Sequence, residues 1–482
     1  MKQVFNPYLP NYEYIPDGEP HVFNGRLYVY GSHDRFGSRF FCDNDYVLWS
    51  CPINDLSDWV YHGVIYRKDQ DPLNKEGANP LFAPDVTQGK DGRYYLYYAP
   101  CNTRSIGVAV SDDPQGPFEF LDHVKHKDGT ILGQKEDDPY PFDPAVLCEN
   151  ERCYLYIGFA PDPNWDFLKR EFGKMHLSSG SYVMELENDM RTIKTGCRKI
   201  EIADCPDHSH EFFEASSIRK VDDKYCFIYS STNSHELCHA FGEYPEGPFS
   251  YKGIIHDNGD IGLEGRKEKD RVSYTGNNHG SIVSINGKWY VFGHRPSNYS
   301  VFARQGVAEE ISRNPDGSFI QAEMTSCGLN GKPLENKGRY GAFIACHLTS
   351  KYGALHYLDN CESEGFEDIR TKHPAFSQDG EDRENDPSQF IRNMCDGSSA
   401  GFKYFVPADH IKLSVFTRGD EGLFEIRDRF NGPLLNTIHL DSNEEFSESE
   451  TVMIDLPKTN RFSLYFTYKG NGHIDFDSFS LK

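Results

Sequence analysis

The sequence predicts an all-β protein, a five-bladed β-propeller followed by a β-sandwich, on three observations. Aromatic residues make up 14% of the chain, with 29 Tyr and 34 Phe, while long helical patterns are scarce; rings and β-branched side chains favour strands. A short strand motif recurs five times at wide, regular intervals. The last third drops that motif and shows alternating segments separated by turns.

The motif is a turn carrying a basic residue, followed by an aromatic and β-branched strand. It reads GRLYVYGSHD from Gly25, GRYYLYYAP from Gly92, ERCYLYIGF from Glu151, DKYCFIYSS from Asp223 and GKWYVFGHR from Gly287. Its basic residues, Arg26, Arg93, Arg152, Lys224 and Lys288, are 67, 59, 72 and 64 positions apart, the length of one four-stranded propeller blade with generous loops. Eight to ten residues ahead of each basic residue stands a second short strand with a polar residue: Asp17, Asp85, Asp143, Glu214 and His279. In a propeller the innermost strands surround the axis, so residues at one repeat phase converge. The same acids also sit beside Gly or Pro where they could simply cap turns; five coincidences of phase favour the ring.

Residues 345–482 supply AGFKYFVP, IKLSVFTRG, LFEIRDRF, FSLYFTYKG and HIDFDSFSL between Gly, Asn and Asp turns. That alternation predicts a β-sandwich, and leaves residues 1–340 to the propeller. Gly397-Ser398-Ser399-Ala400-Gly401 matches the G-x-S-x-G pattern of hydrolase elbows, but the strand-like AGFKYFVP follows where an elbow needs a helix, so it reads as a turn.

Composition narrows the function. The 50 Lys and Arg against 74 Asp and Glu leave a net charge of −24, spread along the chain, which argues against nucleic acid and anionic membrane surfaces as partners. No apolar run approaches the roughly 20 residues of a membrane helix. The 13 cysteines are scattered without a C-x-x-C pair, which predicts reduced thiols rather than a disulfide framework or a zinc site. With no apolar leader visible in MKQVFNPYLPNYEYIP, the expected location is cytoplasmic.

The five inner-strand tags FAPDV, DPAVL, EASSI, NHGSIV and GHRPSNYSVFARQG, with Asp17, Asp143 and Glu214 in that order, resemble glycoside hydrolase family 43, five-bladed propeller enzymes that remove arabinose and xylose from plant polysaccharides. The resemblance implies hydrolysis with inversion, with Asp17 as general base, Glu214 as general acid and Asp143 tuning and orienting the acid. It also implies that Arg304 approaches the sugar, and that His279 lies on the propeller axis near ordered waters or a calcium ion. Trp165, in the long excursion of the third blade, is a candidate pocket wall. The C-terminal region is similar to a family 6 carbohydrate-binding module, which makes Asp475 or Asp477 a candidate calcium ligand. The implied substrates are arabinose- or xylose-containing oligosaccharides, with an α-L-arabinofuranosidase foremost and a β-xylosidase, or both activities together, as the alternative. A non-catalytic sugar-binding propeller would not need three axial acids. WD, kelch and sialidase signatures are absent from the sequence.

Overall fold

In the computed structural model, which describes residues 2–161, 180–233, 235–357, 370–380 and 388–482, each repeat motif forms the second strand of an antiparallel sheet. The first blade pairs Glu19–Phe23, Arg26–Tyr30, Tyr46–Pro52 and Val60–Tyr66 in that order. The second runs Leu81–Gln88, Tyr94–Pro100, Gly107–Ser111 and Glu119–His123, and the third Ala145–Glu149, Arg152–Gly158, Ser181–Leu186 and Arg198–Lys199. The fourth is Phe212–Val221, Lys224–Ser231, Leu237–Gly242 and Phe249–His256, with Ile202–Ala203 added at its outer edge. The fifth has Ile282–Ile285, Lys288–Ser297 and Ser300–Ile311.

The motif strands are near-continuous runs of apolar and aromatic residues because both of their faces are covered. Leu27 and Val29 pack with Val283 and Phe292 of the fifth blade, whereas Tyr28 and Tyr30 pack with Leu96 and Tyr98 of the second. The alternation repeats round the ring: Tyr95 and Tyr97 meet Leu155 and Ile157, Tyr154 and Tyr156 meet Phe227 and Tyr229, and Cys226 and Ile228 meet Ile282 and Val291. Each junction between neighbouring blades thus holds its own apolar core. The N-terminal segment closes the circle: the Asn6 side chain exchanges hydrogen bonds with the Ala308 backbone at 2.9 and 3.1 Å, and the Tyr8 amide donates to Gly306 O. It lies where the fifth blade's outermost strand would be.

The C-terminal unit is a two-sheet sandwich around a core rich in phenylalanine, including Phe402, Phe405, Phe424, Phe466, Phe476 and Phe479. One sheet contains Gln389–Cys395, His410–Gly419 and His473–Leu481, and the other Ser399–Phe405, Gly422–Arg427 and Phe462–Lys469. Gly338–Gly341 pairs with the last strand, so sandwich pairing begins ahead of residue 345, inside the segment the sequence assigned to the propeller. Four residues with two glycines are too short a pattern to be recognised as a strand. Ser399 opens a strand directly after the Gly397 turn, as its context predicted.

A buried polar seam joins the two units. Asp260, on a propeller loop, accepts from Lys403 Nζ at 3.2 Å and lies 2.7 Å from His347 Nε2, both on the sandwich. Arg295 donates to the carbonyls of Phe343 and Ala345.

One cysteine expectation is overturned. Cys148 and Cys153 form a disulfide; they are directly opposed on the first two strands of the third blade, with Cα atoms 4.1 Å apart. The hairpin register brings two side chains together that the spacing alone did not mark as a pair.

Candidate active site

In four of the five blades the first strand enters the ring through a kink. In the first and third blades the kinked residues are Asp17 and Asp143, with φ of 57° and 44°, a left-handed backbone that Asp tolerates better than most residues. In the fourth blade the kinked residue is Ala215, with φ of 63°, and the strand is bulged on both sides of Glu214. Glu214 therefore stands one position out of phase, yet its carboxyl reaches the same place. In the second blade the kink falls at Ala83, and Asp85 lies beyond it inside the sheet. There Asp85 accepts from the amides of Val86 and Val146 and from His21, tying three blades together.

Asp17, Asp143, Glu214, His279 and Arg304 meet at one end of the axis. His279 Nδ1 is 4.0 Å from Asp17 Oδ1 and 3.6 Å from Asp143 Oδ2, so those two legs place the oxygens within about 7.6 Å of each other. Asp143 Oδ2 accepts from the Ala215 amide at 3.1 Å, which sets it beside Glu214. Asp17 and Asp143 are only 5% and 3% exposed, so the centre is buried. Trp165 falls outside the described residues.

The carboxyls have opposite environments. Burial pushes Asp17 up, but Arg304, with His294, His279 and Ser32 around it, more than offsets this and holds the carboxyl below its ordinary range. Arg304 is the cation that matters. His294 accepts the Asp17 amide proton at Nδ1 and meets Asn277 Oδ1 at Nε2, the pattern of a neutral ring, and burial pushes His279 down to about 4. Glu214 is pushed up to about 8, by burial first and then by the negative Asp17. Burial also drives Asp143 well above the ordinary range, reinforced by Glu214 and Asp17. Near neutral pH the site thus holds one firm carboxylate, Asp17, and a protonated carboxyl opposite, the division of labour that general acid–base chemistry needs.

Arg304 is buried at the centre. Its Nε and Nη2 hold the two oxygens of Asp34 at 2.8 and 2.9 Å, Nη1 donates to Asp17 and Asn277, and Nη2 also meets Cys42 Sγ. With its guanidinium fully engaged by these partners, Arg304 anchors Asp17. Asp34, His294, Asn277 and His235, which lies 3.6 Å from Glu214 Oε1, were not marked in the sequence. For Asp34 and His294 the signal is the polar ending of the first and fifth motifs, GSHD and GHR, on otherwise apolar strands; Asn277 and His235 lie in loops that no motif marks.

The calcium expectation divides. Asp477 Oδ2 accepts from Arg339 at 3.0 Å and from the Ser478 hydroxyl, while both oxygens of Asp475 are engaged, by the Asn393 amide and by Arg418. Among the described residues, two groups of three metal-ligating side chains come together, His210–Glu236–Cys238 and Glu19–His21–Asp85, and neither contains His279 or Asp477. His279 Nε2 does face Glu19 Oε1 at 4.0 Å, and that buried oxygen has no hydrogen-bond partner. An unpartnered buried carboxylate oxygen on the axis suits a hard cation.

A propeller whose axial mouth gathers buried carboxyls, one ionised and one protonated, is the centre of a glycoside hydrolase. The chain belongs to glycosyl hydrolases family 43, whose model matches residues 21–319. It is 45% identical to a xylosidase/arabinosidase of Thermoclostridium stercorarium over 100% of this chain and 99% of that protein. A xylosidase/arabinosidase 43A of Humicola insolens is 32% identical over 64% of this chain and 96% of its own length. Among solved structures, a family 43 β-xylosidase/α-arabinofuranosidase from a compost metagenome, in complex with xylotriose, aligns with a TM-score of 0.51 at 28% identity, covering 65% of this chain and 96% of that one. A family 43 arabinoxylan arabinofuranohydrolase from Bacillus subtilis shares the fold over 99% of this chain and 97% of its own, with a TM-score of 0.51 at 20% identity.

Proposed function

We propose that this enzyme removes terminal α-L-arabinofuranosyl residues from arabinoxylan-derived oligosaccharides with inversion of configuration. The observation that carries this reading is the opposed state of Asp17 and Glu214. Asp17, held ionised by Arg304, draws a proton from the attacking water as it closes on the anomeric carbon. Glu214, held protonated by burial and by Asp17, delivers its proton to the departing glycosidic oxygen. Asp143, pinned by the Ala215 amide beside Glu214 and itself driven well above the ordinary range by burial, adds no second carboxylate charge and orients the acid.

A second reading, a β-xylosidase or an enzyme with both activities, is favoured by the double names of the two relatives. Wild-type rates on nitrophenyl α-L-arabinofuranoside and nitrophenyl β-D-xyloside, measured side by side, separate the two. Release of the product as the retained anomer, followed by proton NMR, would overturn the inverting mechanism.

The same reading includes an axial calcium held by His279 and Glu19. Such an ion would supply a fixed positive charge below the carboxyls.

A further inference from the structure

His235 sits on the turn leading into the fourth blade's third strand, with a left-handed backbone at φ of 53°. Its ring is buried between Phe213, with centroids 4.6 Å apart, and Tyr357, at 5.7 Å. Nδ1 is sealed from solvent and has no hydrogen-bond partner, yet it lies 3.6 Å from Glu214 Oε1. An orphaned ring nitrogen aimed at a carboxyl is costly unless the contact is made at some stage of the reaction, and hydrogen bonds at such sites commonly tighten only when substrate is seated.

The ring is neutral. Burial pushes His235 down to about 3, and the neighbouring His356 acts in the same direction. A neutral ring can present either a proton or a lone pair at Nδ1. A lone pair there would compete with the sugar for the Glu214 proton and would then face the bare carboxylate left after transfer. A proton there meets favourable partners before and after the step.

Taking the acid role of Glu214 proposed above as given, we propose that His235 is a positioning residue for it: its Nδ1–H donates to Glu214 Oε1, which fixes the transferable proton on Oε2 and stabilises the carboxylate as that proton leaves. Asp17, Asp143 and Arg304 also act on Glu214, and His356 and His294 lie within electrostatic reach of His235. None of these five supplies a hydrogen bond to Oε1 among the described residues.

Two variants test this. His235→Asn keeps an N–H donor near the Nδ1 position, and His235→Gly removes it; both residues accept the left-handed backbone. Expected for His235→Gly is a kcat about 10- to 100-fold lower on an arabinoxylan oligosaccharide, a loss under about threefold on the nitrophenyl glycoside, whose leaving group needs little protonation, and partial rescue by added imidazole. His235→Asn should stay within about fivefold of wild type on both substrates. Independently of turnover, the infrared titration of Glu214, taken as wild type minus Glu214→Gln, should move to higher pH in His235→Gly. A downward move, or none, overturns the proposal, as do equal losses on the two substrates or failure of His235→Asn to retain rate. If the wild type hydrolyses neither pentoside, the functional reading falls, and the infrared titration still decides the role of His235.

Discussion

One guanidinium serves two buried acids: Arg304 Nη1 lies 3.0 Å from Asp17 Oδ1 while Nε and Nη2 grip both oxygens of Asp34. Lysine can place a charge there but cannot reproduce the fork. Arg304→Lys should let Asp17 drift back up toward the ordinary carboxylate range. A base with a higher pKa is lost at higher pH, so the acidic limb of kcat/KM should move up, with a larger activity loss at pH 5 than at pH 7. A pH profile of the variant beside wild type checks this; a limb that stays in place would show that Arg304 does not govern Asp17.

Glu214→Gln removes the proton donor while keeping its shape. Activity on a natural oligosaccharide should fall by about 10² to 10⁴, and far less on a nitrophenyl glycoside. Asp17→Asn should lose activity on both substrates alike, since the water needs activation whatever departs. Steady-state rates on the two substrates give the comparison, and equal losses for Glu214→Gln would refute its role as acid.

These three acids were legible in the sequence because a propeller turns a repeat phase into a place. Asp17 and Asp143 share the phase and the kink. Glu214 was found although it stands one residue off, because the bulge that compensates for it is invisible in the spacing and small enough to forgive. Asp85 shares the phase without a catalytic role: its blade takes the kink at Ala83 and turns the aspartate into the sheet, where it is structural. Asp34, His294 and His235 come from the far ends of second strands and from a turn, where no period repeats. Their roles depend on which side chains face Arg304 and Glu214, and only the folded ring decides that. The fold itself was plainer: apolar motif strands covered on both faces fixed the blades, whereas Gly338–Gly341 was too short to announce the sandwich.

Glu19 yields a prediction about calcium. Its carboxyl is pushed up to about 8, by burial first, with Asp85 adding to it and Arg219 opposing. A carboxyl raised in the folded state lends stability below its unfolded value near 4.5 and loses it as pH climbs through the folded value. Millimolar calcium should therefore raise the melting temperature more at pH 8 than at pH 5, and Glu19→Gln should abolish the difference. Calorimetry with and without chelator measures it; equal shifts at both pH values would exclude Glu19 as a ligand.

The seam between the units makes a second stability test. Lys403 and His347 hold the Asp260 carboxyl well below its usual range, against the upward push of burial. Lys403→Met leaves Asp260 buried beside a neutral ring, and removing one partner of a buried pair costs about 3 to 5 kcal/mol. Stability should fall most at neutral pH and least in acid, where Asp260 can take a proton. Denaturant midpoints across pH report this, and an unchanged midpoint at pH 7 would mean that the seam contributes nothing.

The pairing of Asn6 with Ala308 sets an order of events during synthesis. The segment around Asn6 finds its partner only after about 300 more residues have been added, which at roughly 5 to 20 residues per second takes on the order of 15 to 60 s. Through that interval the nascent chain holds blades without a closed circle, with the apolar face of Leu27 and Val29 waiting for a neighbour that does not yet exist. Chaperone demand should fall on this window, and a circular permutant that begins at a loop between blades would be translated with its closing strands already adjacent.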